Sequence, residues 1–228
     1  SVRVPEQGQD EVADLARQFN AAATRIEALV KTHKSLLANA SHELRSPLTR
    51  IRMGLELMGG NQPSPAFREE ILRNIAELDQ LVDEILLASR LDAREADVGT
   101  VELVDLIGLA AEECARVDAD LDVTAVPEGL EVRGVAKLLR RALRNLLENA
   151  RRYSQGDITV VLQRHDGQAQ LSVLDRGPGV PPALRERIFE PFYRLPGASE
   201  RAGGVGLGLA LVRSIAQRHN GSVRCEDQ

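Results

Sequence analysis

The sequence predicts an α + α/β protein: a helical hairpin that dimerises into a four-helix bundle, followed by an α/β sandwich. Three observations predict it. Apolar residues recur at alternating spacings of three and four through residues 12–85, Gly and Pro cluster once inside that run, and after residue 100 the pattern changes to β-branched runs interleaved with helical ones. Aromatic residues make up only 3% of the chain and Trp is absent, so Leu, Ile, Val and Ala must fill the core, as they do in helix seams.

Val12, Leu15, Phe19, Ala22, Ile26 and Leu29 form the heptad seam of a helix that starts near Asp10. A second seam, from Leu37 through Leu44, Leu48, Ile51 and Leu55 to Met58, is stopped by Gly59, Gly60, Asn61, Pro63 and Pro65. Phe67, Ile71, Ile75, Leu78, Val82 and Ile85 line the return helix. Two helices with narrow apolar stripes bury little alone, so a homodimer that closes a four-helix bundle is the economical arrangement. The heptads stop near residues 92–100, where Asp97 and Gly99 mark a linker. Beyond it, runs 122–126, 157–162 and 170–174 read as strands, and 103–117 and 135–152 as helices.

Composition removes several function classes. A net charge of −5 and a pI near 5.5 oppose a nucleic-acid binder, whose footprint would be basic. The longest apolar stretches fall short of the roughly 18 residues a membrane-spanning helix needs. Cys114 and Cys225 lie far apart with no CxxC spacing, which disfavours a zinc site or a disulfide framework and suits reduced thiols in a cytosolic setting. The chain begins at Ser1 in mid-pattern and reads as an excised fragment.

His42, in Ser41-His42-Glu43-Leu44-Arg45-Ser46-Pro47, lies in the helix whose seam holds Leu44 and Leu48, and so points off the seam toward solvent. A neutral imidazole is a good nucleophile around neutral pH, and its nitrogen can take a phosphoryl group. Glu43 could accept the other ring N–H and keep the reactive nitrogen unprotonated, given a particular pair of rotamers, since adjacent helical residues do not face each other. Ser46, four residues on, shares the His42 face, where its hydroxyl could hold water against a phosphorylated ring. Pro47 lacks the N–H that would bond the Glu43 carbonyl, so the helix should weaken or kink there.

Asn145 and Asn149 sit one turn apart on a helix face, and amide carbonyls are hard oxygen ligands suited to Mg²⁺, which also binds nucleotide phosphates. Taken alone, such a pair is polar surface. Asp175-Arg176-Gly177-Pro178-Gly179 ends a strand with a sharp turn open to close ligand approach, and a buried Asp there can accept a hydrogen bond from the exocyclic amine of adenine. The run 203–209, Gly-Gly-Val-Gly-Leu-Gly-Leu, opens a helix whose free N–H groups favour phosphate. It is neither a Walker A loop nor a dinucleotide GxGxxG. Between the glycine runs, Phe189, Phe192 and Tyr193 gather three of the chain's six aromatic rings, which suits a hinge plug better than a core layer.

In this order the four pieces resemble the cytoplasmic part of two-component sensor histidine kinases over nearly the whole chain. The resemblance implies the C-terminal part of a HAMP signalling module at residues 1–33, a dimerisation and histidine-phosphotransfer domain at 34–96, and a Bergerat-type catalytic ATP-binding domain at 97–228 whose last strand is missing. It implies His42 as phospho-acceptor, Glu43 as its acid/base partner, and Ser46, where many relatives carry Thr, in a phosphatase role. Asn145 and Asn149 resemble the N box, with Asn149 as Mg²⁺ ligand. Arg152 stands where a Lys often reaches a phosphate, beside Tyr153. Asp175, Gly177 and Gly179 resemble the first glycine box, Phe189, Phe192 and Arg194 the F box, and Gly204, Gly206, Leu207 and Gly208 the second glycine box. ATP, Mg²⁺, a homodimer, a response-regulator receiver domain and an inner-membrane anchor for the intact protein follow from the same resemblance.

Gyrase and Hsp90, wider relatives that hydrolyse ATP, carry a Glu base four residues before the metal-binding Asn, and here that position is Asn145. Transfer to His42 is therefore expected over transfer to water. An ATP-binding but phosphatase-biased or inactive scaffold is the alternative, and a plain ATPase the third reading.

Overall fold

The heptad pattern folds into two long helices. In the computed structural model α1 spans Glu11–Leu57 and α2 spans Pro65–Asp92. Residues 3–5, 11–57, 64–93, 99–126, 128–195 and 205–227 are described; the breaker at 59–63 and Asp97 lie outside them. Helix α1 runs on through the buried Pro47, so the missing N–H does not end it. Ser64 starts α2: its hydroxyl and carbonyl both accept from Phe67 N–H, with Pro65 behind it where a missing N–H costs nothing.

The chain divides into two compact units, Ser1–Ala76 and Glu77–Gln228. In the first, α1 and the start of α2 form an antiparallel hairpin. The Phe67 ring fills the space where a Cβ on Gly54 would lie, 2.7 Å away, and Arg50 Nε donates to Asn74 Oδ1 at 2.6 Å. Ala13, Ala16 and Ala40 are buried, whereas Leu15, Phe19, Ile26, Leu37, Leu48 and Leu55 of the apolar seam stay exposed.

The second unit holds the rest of α2 and the strand-containing domain. Strands β1 (Glu102–Asp105) and β3 (Glu131–Gly134) pair antiparallel. A mixed sheet has the order β2 (Asp120–Asp122), β4 (Thr159–His165), β5 (Gln168–Leu174), with β2 parallel and β5 antiparallel to β4. Helices α3 (Leu106–Val117) and α4 (Ala136–Tyr153) cover it, and Leu109, Ala110, Leu143, Leu147, Val160 and Leu162 meet in the core. Helix α5 (Gly208–Arg218) packs against α4, and two short 3-10 turns, Pro182–Leu184 and Arg187–Phe189, lie on the connection before it.

Two expectations are corrected and one strand is added. Residues 103–105 belong to β1, because the Asp105 carboxylate accepts from Ile107 N–H and starts the helix one residue later. The strand expected at 122–126 is β2 at Asp120–Asp122, since Asp122 Oδ1 accepts from both Thr124 N and Oγ1 and turns the chain. Strand β3 has too short and polar a sequence to read as a strand alone; its pairing with β1 makes it one.

Helices α3 and α4 are joined by a buried carboxylate. Glu113 is 1% exposed and takes two hydrogen bonds of 2.9 Å from Arg144 and one of 3.1 Å from Arg140. The Arg144 guanidinium, with Arg140 and despite burial, holds the carboxyl below its ordinary pKa. On α2, Glu84 accepts from Arg141 of α4 at 2.8 Å.

Candidate functional site

His42 and Ser46 are exposed on α1, one turn apart, and Glu43 is half-buried. Ser46 Oγ accepts from Arg50 Nη1 at 3.2 Å. Arg50 in turn is held by Asn74, 6% exposed, which donates onward to Glu70 O at 2.8 Å. The Ser46 hydroxyl keeps its own proton for another acceptor. Sequence reasoning missed Arg50 and Asn74, although Arg50 stands at the i+4 position from Ser46.

Helix α4 organises the second constellation. Its two asparagines do different things. Asn145 is 5% exposed, and its Nδ2 donates at 3.1 Å to the carbonyl of Gly208, the first residue of α5. Asn149 is half-buried, and its side chain makes no hydrogen bond to the described residues. One amide therefore ties α4 to the second glycine run, and the next remains open to a ligand.

At the far end of α4, Arg152 and Tyr153 are exposed. Ser154 Oγ, unnoticed in the sequence, accepts from Gly156 N at 3.2 Å and Arg176 N at 3.1 Å, drawing the first glycine turn onto the helix end. A Cβ at Gly177 would lie 3.0 Å from Tyr153 O, so this contact requires glycine. Half-buried Asp175 takes Gly177 N–H on Oδ1 at 2.7 Å, and its other oxygen has no partner among the described residues. Gly179 follows at φ +71°.

The remaining pieces lie on the connection that leads into α5 and at its start. Phe192, at φ 63°, donates its N–H to Gly206 O at 2.9 Å, and a Cβ at Gly206 would collide with the Phe192 backbone at 2.9 Å. Phe189 is 3% exposed beneath the Arg213 guanidinium, 4.9 Å from the ring, and Arg213 also bonds Glu186. Tyr193 stacks under Arg187, and Arg194 is half-buried. Leu207 is fully buried. Gly204 lies outside the described residues. Both thiols are free, and burial pushes Cys114 and Cys225 above the ordinary thiol range, which keeps them unreactive. Among the described residues no cluster of three His, Cys, Asp or Glu side chains could hold a metal ion, and no helix is long and apolar enough to cross a membrane.

The chain matches three families of known proteins, in order along its length. Residues 1–28 match the HAMP domain, 32–94 the His Kinase A (phospho-acceptor) domain, and 134–228 the histidine kinase-, DNA gyrase B-, and HSP90-like ATPase family. Sensor histidine kinase CpxA of Escherichia coli (strain K12) is 35% identical over 97% of this chain and 50% of its own length. The signal transduction histidine-protein kinase/phosphatase MprB of Mycobacterium sp. (strain KMS) is 34% identical over 98% of this chain and 46% of its own. The chain thus spans about half the length of these relatives. The crystal structure of histidine kinase ThkA in complex with response regulator protein TrrA shares the fold, with a TM-score of 0.68, 24% identity, and coverage of 96% of this chain and 64% of that one. With all three domain families present in order along one chain, the protein belongs to the two-component sensor histidine kinases.

Proposed function

We propose that this chain autophosphorylates His42 from ATP and passes the phosphoryl group to an Asp of a response-regulator receiver domain. The observation that carries the nucleotide part is the Asn145–Gly208 bond, which fixes the second glycine run beside α4 while Asn149, one turn on, keeps an unpaired amide. Asp175, with one oxygen free, suits the amine of adenine. A single amide oxygen matches Mg²⁺, which takes few protein ligands, keeps waters and binds phosphates. When bound by Asn149 and the polyphosphate, Mg²⁺ would neutralise charge on the transferring group.

In the transfer, a ring nitrogen of His42 forms the N–P bond as the bond between the γ-phosphorus and the ADP oxygen breaks. The proton on the other ring nitrogen leaves to the Glu43 carboxylate. Alignment and charge neutralisation carry the catalysis. The exposed seam from Leu15 to Leu55 supports a homodimer, and the HAMP match supports a membrane anchor in the intact protein. Ser46, oriented by Arg50, supports a second activity: positioning water to dephosphorylate the regulator. Incubation with γ-labelled ATP and Mg²⁺ should leave an acid-labile, base-stable label that His42→Ala abolishes. Label that survives this substitution would sink the assignment.

A further inference from the structure

Helix α5 is fastened to α4 at both ends. At its start the tie is the Asn145–Gly208 bond. At its finish it is His219, the residue that ends α5. His219 Nδ1 lies 2.8 Å from Ile215 O, and Val135 N donates to His219 Nε2 at 3.0 Å. A carbonyl can only accept and an N–H can only donate, so the ring is neutral, with its proton on Nδ1 and a bare Nε2. Val135 is the residue at which α4 begins, and it has no side-chain cap of its own. Its N–H, an orphan of the kind left at every helix start, is satisfied by the far end of α5.

The surroundings are built for this ring. A Cβ at Gly134 would lie 2.8 Å from it, so only glycine lets the imidazole reach the main chain. The end of α5 is itself locked: Asn220 takes φ 56° and Gly221 N bonds Ala216 O at 2.8 Å, the hydrogen-bond pattern of a left-handed helix stop.

We propose that His219 is a positioning residue for nucleotide binding: it sets the register of α5 on α4, and so places the Gly206–Gly208 run opposite Asn149 before the nucleotide arrives. The inference rests on the nucleotide site proposed above. If the two helices are aligned in advance, binding does not have to supply the alignment, so loss of the tie appears in affinity. Once bound, the nucleotide bridges both helices, and the rate at saturation is unchanged.

His219→Asn keeps a donor for Ile215 O but is too short to reach Val135. His219→Gln restores an acceptor at that reach. We expect His219→Asn to raise the ATP KM for autophosphorylation by about three- to tenfold at unchanged kcat, the loss of one neutral hydrogen bond, and His219→Gln to stay within about twofold of the parent. In the unsubstituted chain above neutral pH, nitrogen NMR should show the Nδ1–H tautomer and a coupling across the bond from Val135 N to His219 Nε2. An Nε2–H ring overturns the proposal, as does a KM that does not move in His219→Asn, or equal losses in both variants. Should a variant fail to fold, the tautomer and coupling still decide. An unsubstituted chain that shows the coupling but binds neither ATP nor ADP overturns the nucleotide site, and this role with it. Tight nucleotide binding indifferent to His219 overturns only the role.

Discussion

The hairpin of the first unit and the sheet-containing domain of the second solve the problem of burial in opposite ways. In the first unit Ala13, Ala16, Ala40 and Asn74 are buried, and Leu15, Phe19, Ile26, Leu37, Leu48 and Leu55 of the heptad seam are exposed. In the second domain the large residues are inside: Leu130, Leu138, Leu143, Leu147, Leu162 and Leu211 are each almost fully buried. The residue proposed as phospho-acceptor therefore sits on an element whose exposed seam suits the proposed second copy, whereas the sheet-containing domain buries its large residues by itself. A single chain can be expected to bind nucleotide without being able to use it.

The largest effect should come from breaking that division at the hairpin. Leu48→Glu together with Leu55→Glu puts two charges on the exposed seam, and like charges then meet across the bundle. Light scattering should report a monomer, the His42 label should fall by more than about hundredfold, and ADP affinity should stay within about twofold of the parent. A dimer that persists would show that the seam is not the interface.

Asn149→Ala sharpens the comparison from the other side. It should leave the dimer intact and remove the label to a similar degree, because it deletes the amide oxygen proposed to face Mg²⁺ and the phosphates. Full labelling of this variant at saturating ATP would place the metal ligand elsewhere.

The two units also differed in how far their sequences could be read. Heptads are long and periodic, so α1 and α2 were legible in their extent. Pro47 removes one N–H from α1 without ending it, because the turns on either side keep theirs. In the second domain the longer runs, α4 and β4 with β5, were legible, and β1, β3 and the shift of β2 were not. Strands of three or four residues are decided by their partners and by Asp caps at 105 and 122, not by their own pattern. The β4–β5 turn, Asp166-Gly167 with both residues at positive φ, carried a readable hairpin signal that went unused. Among site residues, the boxes could be recognised one by one. What joins them, Ser154, Arg213 and His219, could not, since each acts on a main-chain group distant in sequence.

A third test concerns the stability of the self-sufficient domain. Glu113→Ala leaves Arg144 and Arg140 without their buried carboxylate. The cost should be about 2–3 kcal/mol, at the low end for a broken buried pair because both arginines are about two-thirds shielded and partly reach water. The folded-state pKa of Glu113 is depressed from its ordinary 4.5. Its contribution is therefore fully present above that value and is lost as pH falls through the lower folded value. Urea unfolding of the second domain should show a gap between parent and variant that is constant near neutral pH and closes on acidification. A gap that widens on acidification would mean that the carboxylate is not what α3 and α4 share.

The smallest expected effect returns to the hairpin, where Asn74 of α2 holds Arg50 of α1, which reaches the Ser46 hydroxyl. Asn74 is one of the buried polar residues of the chain, and its amide oxygen orients the Arg50 guanidinium that reaches Ser46. If that chain of bonds aims the Ser46 hydroxyl, Asn74→Ala should slow dephosphorylation of the regulator by about threefold, the effect of losing one hydrogen bond at one remove. Labelling of His42 should be untouched, since no bond in the chain involves it. Asn74→Asp, which keeps an acceptor for Arg50 but loses the donor to Glu70 O, should restore the rate in part. Equal slowing of both reactions would instead identify Asn74 as a structural pin of the hairpin, and unchanged dephosphorylation would leave Ser46 to act without Arg50.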